Sequence, residues 1–189
     1  LNNFKKKFLN IAIHKNLHFC STGALAVESA IKCAFEYKKN PNLKVVSVRN
    51  GFHGINSWGF TTDDTMYSVK NRVVNFPKFN WISINFDRTL EYLETNYENI
   101  AAFVFEPIQC TGGDVYLDPV NLKKIQDFCK EKEICFISDE VQTGFGSTGS
   151  YWYSNQIGLD PDILVFGKKS QIFGITMNDK YSKILKSPF

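Results

Sequence analysis

Two short apolar runs each end in a group able to do acid–base or covalent chemistry. Ile134 to Gln142 reads Ile-Cys-Phe-Ile-Ser-Asp-Glu-Val-Gln and carries Asp139 near its end, whereas Pro161 to Lys169 reads Pro-Asp-Ile-Leu-Val-Phe-Gly-Lys-Lys and ends on two adjacent lysines. Short apolar runs bounded by turn residues fit buried parallel strands, and open α/β sheets bind ligands just beyond the carboxyl ends of such strands. A carboxylate and an amine delivered to one crevice make either a structural ion pair or a site. As a site, the lysine would form an imine with a cofactor aldehyde while the carboxylate keeps a pyridine nitrogen protonated, which is the chemistry of pyridoxal phosphate.

Three further stretches could belong to the same crevice. Leu17 to Cys20 leads into Ser21-Thr22-Gly23 and then a helical pattern, so unpaired N–H groups and the positive end of the helix dipole could hold a phosphate; an ordinary capped helix has the same look. A Val-rich strand delivers Gly51-Phe52-His53-Gly54, where Phe52 is either a ring free to stack on another ring or a core aromatic. His53 in such a loop suits a hydrogen-bonded orienter, outside the core of the site. The strand Ala101 to Phe105 ends in Glu106-Pro107-Ile108-Gln109, and Thr111-Gly112-Gly113-Asp114 forms a glycine loop over the crevice.

The string Asp139-Glu140-Val141-Gln142-Thr143-Gly144-Phe145-Gly146, then Thr148-Gly149, then Pro161-Asp162-Ile163 and a lysine, resembles the class III aminotransferases of pyridoxal phosphate fold type I. Phe166-Gly167-Lys168-Lys169-Ser170-Gln171 and Ser21-Thr22-Gly23-Ala24-Leu25-Ala26-Val27-Glu28 are most similar to the L-lysine 6-aminotransferases within that class. The resemblance covers nearly the whole chain. It implies an α/β fold, the three-layer, mostly parallel sheet of the fold type I large domain, with residues 1–189 forming that cofactor-binding domain and an N-terminal segment and small C-terminal domain lying outside it. It implies pyridoxal 5′-phosphate as cofactor, with its phosphate at Gly23 and Ala24, Phe52 and Val141 on opposite ring faces, Gln142 on the phenolic oxygen and Asp139 on the pyridine nitrogen. Glu106 falls to the substrate.

For the lysine, Lys169 lies five residues before Gly174, the spacing common in the family, and alternation along a strand end would send Lys168 to the other face. Lys169 is therefore expected to hold the cofactor and then serve as general base. The implied reaction moves the terminal amino group of L-lysine to 2-oxoglutarate in a cytoplasmic homodimer; ornithine, 4-aminobutyrate and diaminobutyrate are alternative donors, and a non-catalytic scaffolding fragment is the alternative outside the enzyme class. Two positions depart from the lysine 6-aminotransferase pattern: Ile55 stands where an arginine usually follows Phe-His-Gly, and Thr111 where the glycine loop usually carries glutamate.

The elements that must position these groups follow from periodicity. Ala24 to Lys38 is expected as a helix, with Leu25, Ala26, Ile31, Ala34 and Phe35 on its buried side, and Lys44 to Arg49 as a strand. Helices are expected over Arg88 to Tyr97 and from Asp118-Pro119 to about Lys132, where the proline falls in the first turn. Asn56 to Asp87 lacks a period and is expected as loops with short helical turns; the family resemblance implies that this region lies near a subunit boundary, where a second copy would cover exposed Trp58, Phe60, Phe76 and Trp81. Strand–helix alternation favours a parallel doubly wound sheet.

A chain of 189 residues with 43% hydrophobic content can bury a sizeable core. Its net charge of +3, with scattered lysines, gives no basis for a nucleic acid partner, and Lys5-Lys6-Lys7 fits a solvated helix face. No apolar run approaches the ~20 residues needed to cross a bilayer. Five cysteines without a Cys-x-x-Cys spacing offer neither a metal site nor a disulfide framework, which suits a reducing compartment. No Gly-x-Gly-x-x-Gly follows the first strand, which counts against a nicotinamide-binding enzyme. Lacking covering segments, the chain alone is expected to associate.

Overall fold

The computed structural model describes residues 2–56 and 80–184. Trp58, Phe60 and Phe76 lie outside the described residues. Seven strands form one sheet: β1 (Asn16–Cys20), β2 (Lys44–Val48), β3 (Trp81–Ile84), β4 (Ile100–Phe105), β7 (Cys135–Glu140), β8 (Ile163–Phe166) and β9 (Phe173–Met177), in the order β1-β9-β8-β7-β4-β2-β3. The run from β3 to β8 is parallel throughout. β9 returns antiparallel to β8 and β1 antiparallel to β9, so β1 points the same way as the parallel set. The carboxyl ends of β1, β2, β4, β7 and β8 thus open on one edge of the sheet. β5 (Ile108–Gln109) and β6 (Val115–Tyr116) form a separate small hairpin.

Helices cover both faces because the strands are apolar on both. Val45, Ala102, Val104, Cys135, Ile137 and Val165 pack beneath α2 (Gly23–Lys38). The alternate residues Val46, Phe103, Phe105 and Phe136 pack on the other side with α3 (Thr89–Asn96) and α4 (Pro119–Glu131). Such two-sided burial is what a parallel sheet requires. α2 turns Ala26, Ala30 and Ala34 toward the sheet, small residues that allow close approach, while the opposite layer is filled by Phe103, Phe105 and Phe136, whose ring centroids lie 4.7 to 5.9 Å apart. Burying each ring contributes roughly 1.5–3 kcal/mol.

Local signals set the helix ends. Thr22, in extended conformation, caps α2 by accepting from the N–H of Leu25, and Lys39 ends it in the left-handed region. Asp118 caps α4 by accepting from Asn121, with Pro119 at the first position, where a missing N–H costs least. α1 (Asn2–Leu9) exposes Lys5, Lys6 and Lys7 but buries Phe8, whose ring centroid lies 4.6 Å from that of Phe166. α5 (Tyr153–Gln156) and α6 (Asp179–Ser182) are single turns.

Three expectations change. Trp81 is not an exposed loop aromatic: it opens β3, half-buried, and donates from Nε1 to Ser47 Oγ at 2.6 Å, because a short mixed strand still finds a full ladder partner in β2. Leu25 is 44% exposed, on the outer face of α2. The second apolar run stops being a strand at Phe166, and Lys168–Ser170 forms a 3-10 turn.

Candidate active site

The strand ends converge on a cavity of about 380 Å³. Thr22, Gly23 and Ala24 reach it from the start of α2, Phe52 to Asn56 from the loop after β2, and Glu106 from the end of β4. Asp139, Val141 and Gln142 enter from β7, Lys168 and Phe173 from the β8–β9 turn, and Thr111 from the glycine loop. Gly23, Ala24, Phe52, Glu106, Asp139, Val141 and Gln142 are thereby brought together as the sequence led one to expect. Lys169 is not.

Lys168 lines the cavity and its Nζ donates to Gln142 Oε1, whereas Lys169 is absent from the lining. The face assignment by strand alternation does not hold, because β8 has already ended. Lys168 sits in the left-handed region at φ 48°, inside a turn closed by Gln171 N–H to Lys168 O at 2.9 Å and by Ser170 Oγ to Ile172 O at 2.6 Å.

Asp139 is buried and its two oxygens are both engaged. Oδ2 accepts from His53 Nδ1 at 2.8 Å and Oδ1 from the N–H of Val141 at 3.1 Å. His53 therefore belongs to the site as the residue that orients Asp139; spacing hides this, since the pair is 86 positions apart. Glu106 is buried too and accepts from the N–H of Phe52 at 2.7 Å, tying the aromatic loop to β4. Burial is the largest of the influences that push the Glu106 carboxyl up to about 7; the Asp139 charge adds to it, while His53, the Phe52 hydrogen bond and Lys168 oppose it.

Close packing shapes the anion end. Gly54 has φ +113°, and a Cβ there would lie 2.7 Å from the Cβ of Ala24, so the loop after β2 runs directly over the first turn of α2. A Cβ on Gly23 would meet Val141 at 3.3 Å. The first N–H groups of a helix have no partner within it, and Thr22 Oγ satisfies only that of Leu25, so those of Gly23 and Ala24 stand at the rim of the cavity. The arrangement offers an anion cradle, a fixed carboxylate, an amine and an aromatic ring around one space. These are the donors that pyridoxal phosphate needs, and the residues present fit it. Among the described residues no group of three or more His, Cys, Asp or Glu is placed to hold a metal ion, and no helix is long and apolar enough to cross a membrane.

Comparison with known proteins decides the family. Residues 1–182 match the family model of the class-III aminotransferases. The chain belongs to that family. Similar members include the L-lysine-epsilon aminotransferase of Mycobacterium tuberculosis, 32% identical across 92% of this chain and 45% of the relative's own length. The ornithine aminotransferase of Oceanobacillus iheyensis is 34% identical across 78% of the chain and 38% of that protein. Among solved structures, lysine aminotransferase from M. tuberculosis in the internal aldimine form superposes with a TM-score of 0.86 at 30% identity, covering 98% of this chain and 50% of that one. This class-III chain thus carries the three-layer, mostly parallel sheet expected of it, and spans about half the length of the relatives it matches.

Proposed function

We propose that this chain is the cofactor-binding large domain of a pyridoxal-phosphate-dependent aminotransferase that moves the terminal amino group of L-lysine to 2-oxoglutarate. The observation that carries the reading is the convergence of Lys168, Gln142, Asp139 and the α2 N-terminus on one cavity, in a family whose similar members include lysine aminotransferases. The segments that complete the relatives' length would supply an N-terminal arm and a small C-terminal domain. The working form is a homodimer. The five cysteines are free, which suits the cytoplasm.

When bound, pyridoxal 5′-phosphate supplies an aldehyde that carries the amino group and a pyridinium ring that acts as an electron sink. Gly23 and Ala24 would hold its phosphate through their backbone N–H groups and the helix dipole. Asp139, fixed by His53 and the Val141 N–H, would face the ring nitrogen, where a charge-assisted hydrogen bond keeps the nitrogen protonated. Gln142 would hydrogen-bond the phenolic oxygen, and Phe52 and Val141 would close on opposite ring faces. Lys168 rather than Lys169 would provide the amine that holds the cofactor, and its Nζ, once neutral and free, the base that takes up the substrate proton. Glu106, titrating near neutrality beside Lys168, would receive the proton of an incoming ammonium group.

A second reading, another ω-aminotransferase acting on ornithine or 4-aminobutyrate, draws support from Ile55 and Thr111, which line the cavity without a charge to clamp a carboxylate. Initial rates on lysine, ornithine and 4-aminobutyrate with 2-oxoglutarate, measured on the full-length protein, test the choice. The highest kcat/KM is expected for lysine; a preference for either other amine replaces the first reading by the second.

A further inference from the structure

Glu140 lies between the cavity-facing residues Asp139 and Gln142, yet its own side chain leaves the opposite face of β7. There it is fully buried, and among the described residues its carboxylate is held by neutral donors. Oε1 accepts from the N–H of Ser154 at 2.8 Å; Oε2 accepts from the N–H of Tyr153 at 2.6 Å and from Thr143 Oγ at 3.3 Å. The backbone closes the same knot, because Glu140 O accepts from the N–H of Gly144 at 2.9 Å. The knot has no slack: a Cβ on Gly144 would stand 2.7 Å from Glu140 O and 2.8 Å from the ring of Trp152.

Burying a carboxylate without a counter-charge is costly unless its lone pairs are filled, and here neutral donors fill them. A buried hydrophobe would serve the core as well. What a carboxylate adds is two acceptor atoms at fixed separation, one for each of two successive backbone N–H groups. That fixes the chain direction where β7 turns into the cavity.

We propose that Glu140 is a positioning residue for the cofactor: held on the far side of β7 by Tyr153, Ser154 and Thr143, it sets the register of the Asp139–Gln142 turn, so that Asp139, Val141 and Gln142 face the cavity together. The proposal rests on the pyridoxal phosphate reading. It assigns Glu140 no contact with cofactor or substrate.

Glu140→Gln is the discriminating variant, since its amide NH2 must oppose one of the two N–H donors. In the full-length protein, Glu140→Gln should raise the dissociation constant for pyridoxal 5′-phosphate at least ~10-fold, and it should shift the pH midpoint of the bound cofactor's visible absorbance, which Gln142 and Asp139 tune. Ile125→Val trims a buried core side chain on α4, in the opposite layer and outside this knot; it should lower Tm and leave both cofactor readouts at their wild-type values. If Glu140→Gln does not fold, Thr143→Val removes the hydroxyl that donates to Glu140 Oε2 and should raise the same constant about 2–3-fold. A lowered Tm with unchanged affinity and absorbance midpoint, in whichever of the two variants folds, overturns the proposal. A wild-type protein that binds no pyridoxal phosphate overturns the functional reading and this proposal with it.

Discussion

His53 Nδ1 lies 2.8 Å from Asp139 Oδ2, with both residues buried at the carboxyl ends of β2 and β7. The contact joins two strands separated by β4 and gives the carboxylate one fixed orientation. His53→Ala leaves that oxygen buried without this donor, a loss of about 1–3 kcal/mol. Denaturant unfolding should show a destabilisation of that size, and cofactor titration a weaker affinity. Unchanged affinity would mean that His53 does not orient Asp139.

The Glu106 carboxyl is raised from its usual 4.5 to about 7, chiefly by burial. A raised carboxyl holds its proton more tightly in the folded state, so the folded protein binds more protons than the unfolded chain between these values. Stability must therefore fall as pH rises across about 4.5 to 7. The full shift corresponds to about 3 kcal/mol. Glu106→Gln keeps an acceptor for the Phe52 N–H but cannot ionise, so unfolding free energies measured from pH 4.5 to 8 should lose this downward component. A wild-type slope equal to that of the variant would contradict the assignment.

At Gly54 the loop after β2 passes so close to Ala24 of the anion cradle that a Cβ would lie 2.7 Å from the Ala24 Cβ. Gly54→Ala brings both a positive-φ strain and the Cβ contact, and should cost about 1–3 kcal/mol while weakening cofactor affinity. Adding Ala24→Gly removes the nearest contact, though neither the 3.0 Å approach to the Ala24 Cα nor the strain, so it should restore part of both losses. Full additivity of the two substitutions, measured by thermal unfolding and cofactor titration, would show that the Gly54–Ala24 approach is not the source of the losses.

Where local chemistry decides the outcome, the sequence was readable. The Thr22 cap placed α2 within one residue, Pro119 placed the start of α4, and the Val- and Phe-rich runs became β2, β4 and β7. The antiparallel β9 and the β5–β6 hairpin were not foreseen, because each depends on a partner strand and not on its own pattern. The site followed the same division. Motif positions at strand ends reached the cavity, whereas the His53–Asp139 pairing and the inward lysine depend on three-dimensional contacts: the first on strands far apart in sequence, the second on one left-handed residue after β8.

That lysine is the most direct test of the whole account. The full-length protein is loaded with pyridoxal 5′-phosphate, reduced with borohydride, digested, and mapped by mass spectrometry for the modified peptide. The geometry of the Lys168–Ser170 turn, with Lys168 on Gln142, predicts the pyridoxyl group on Lys168, and its loss in Lys168→Ala but not in Lys169→Ala. A pyridoxyl group on Lys169 would contradict the account, because the amine would then come from a residue that does not line the cavity.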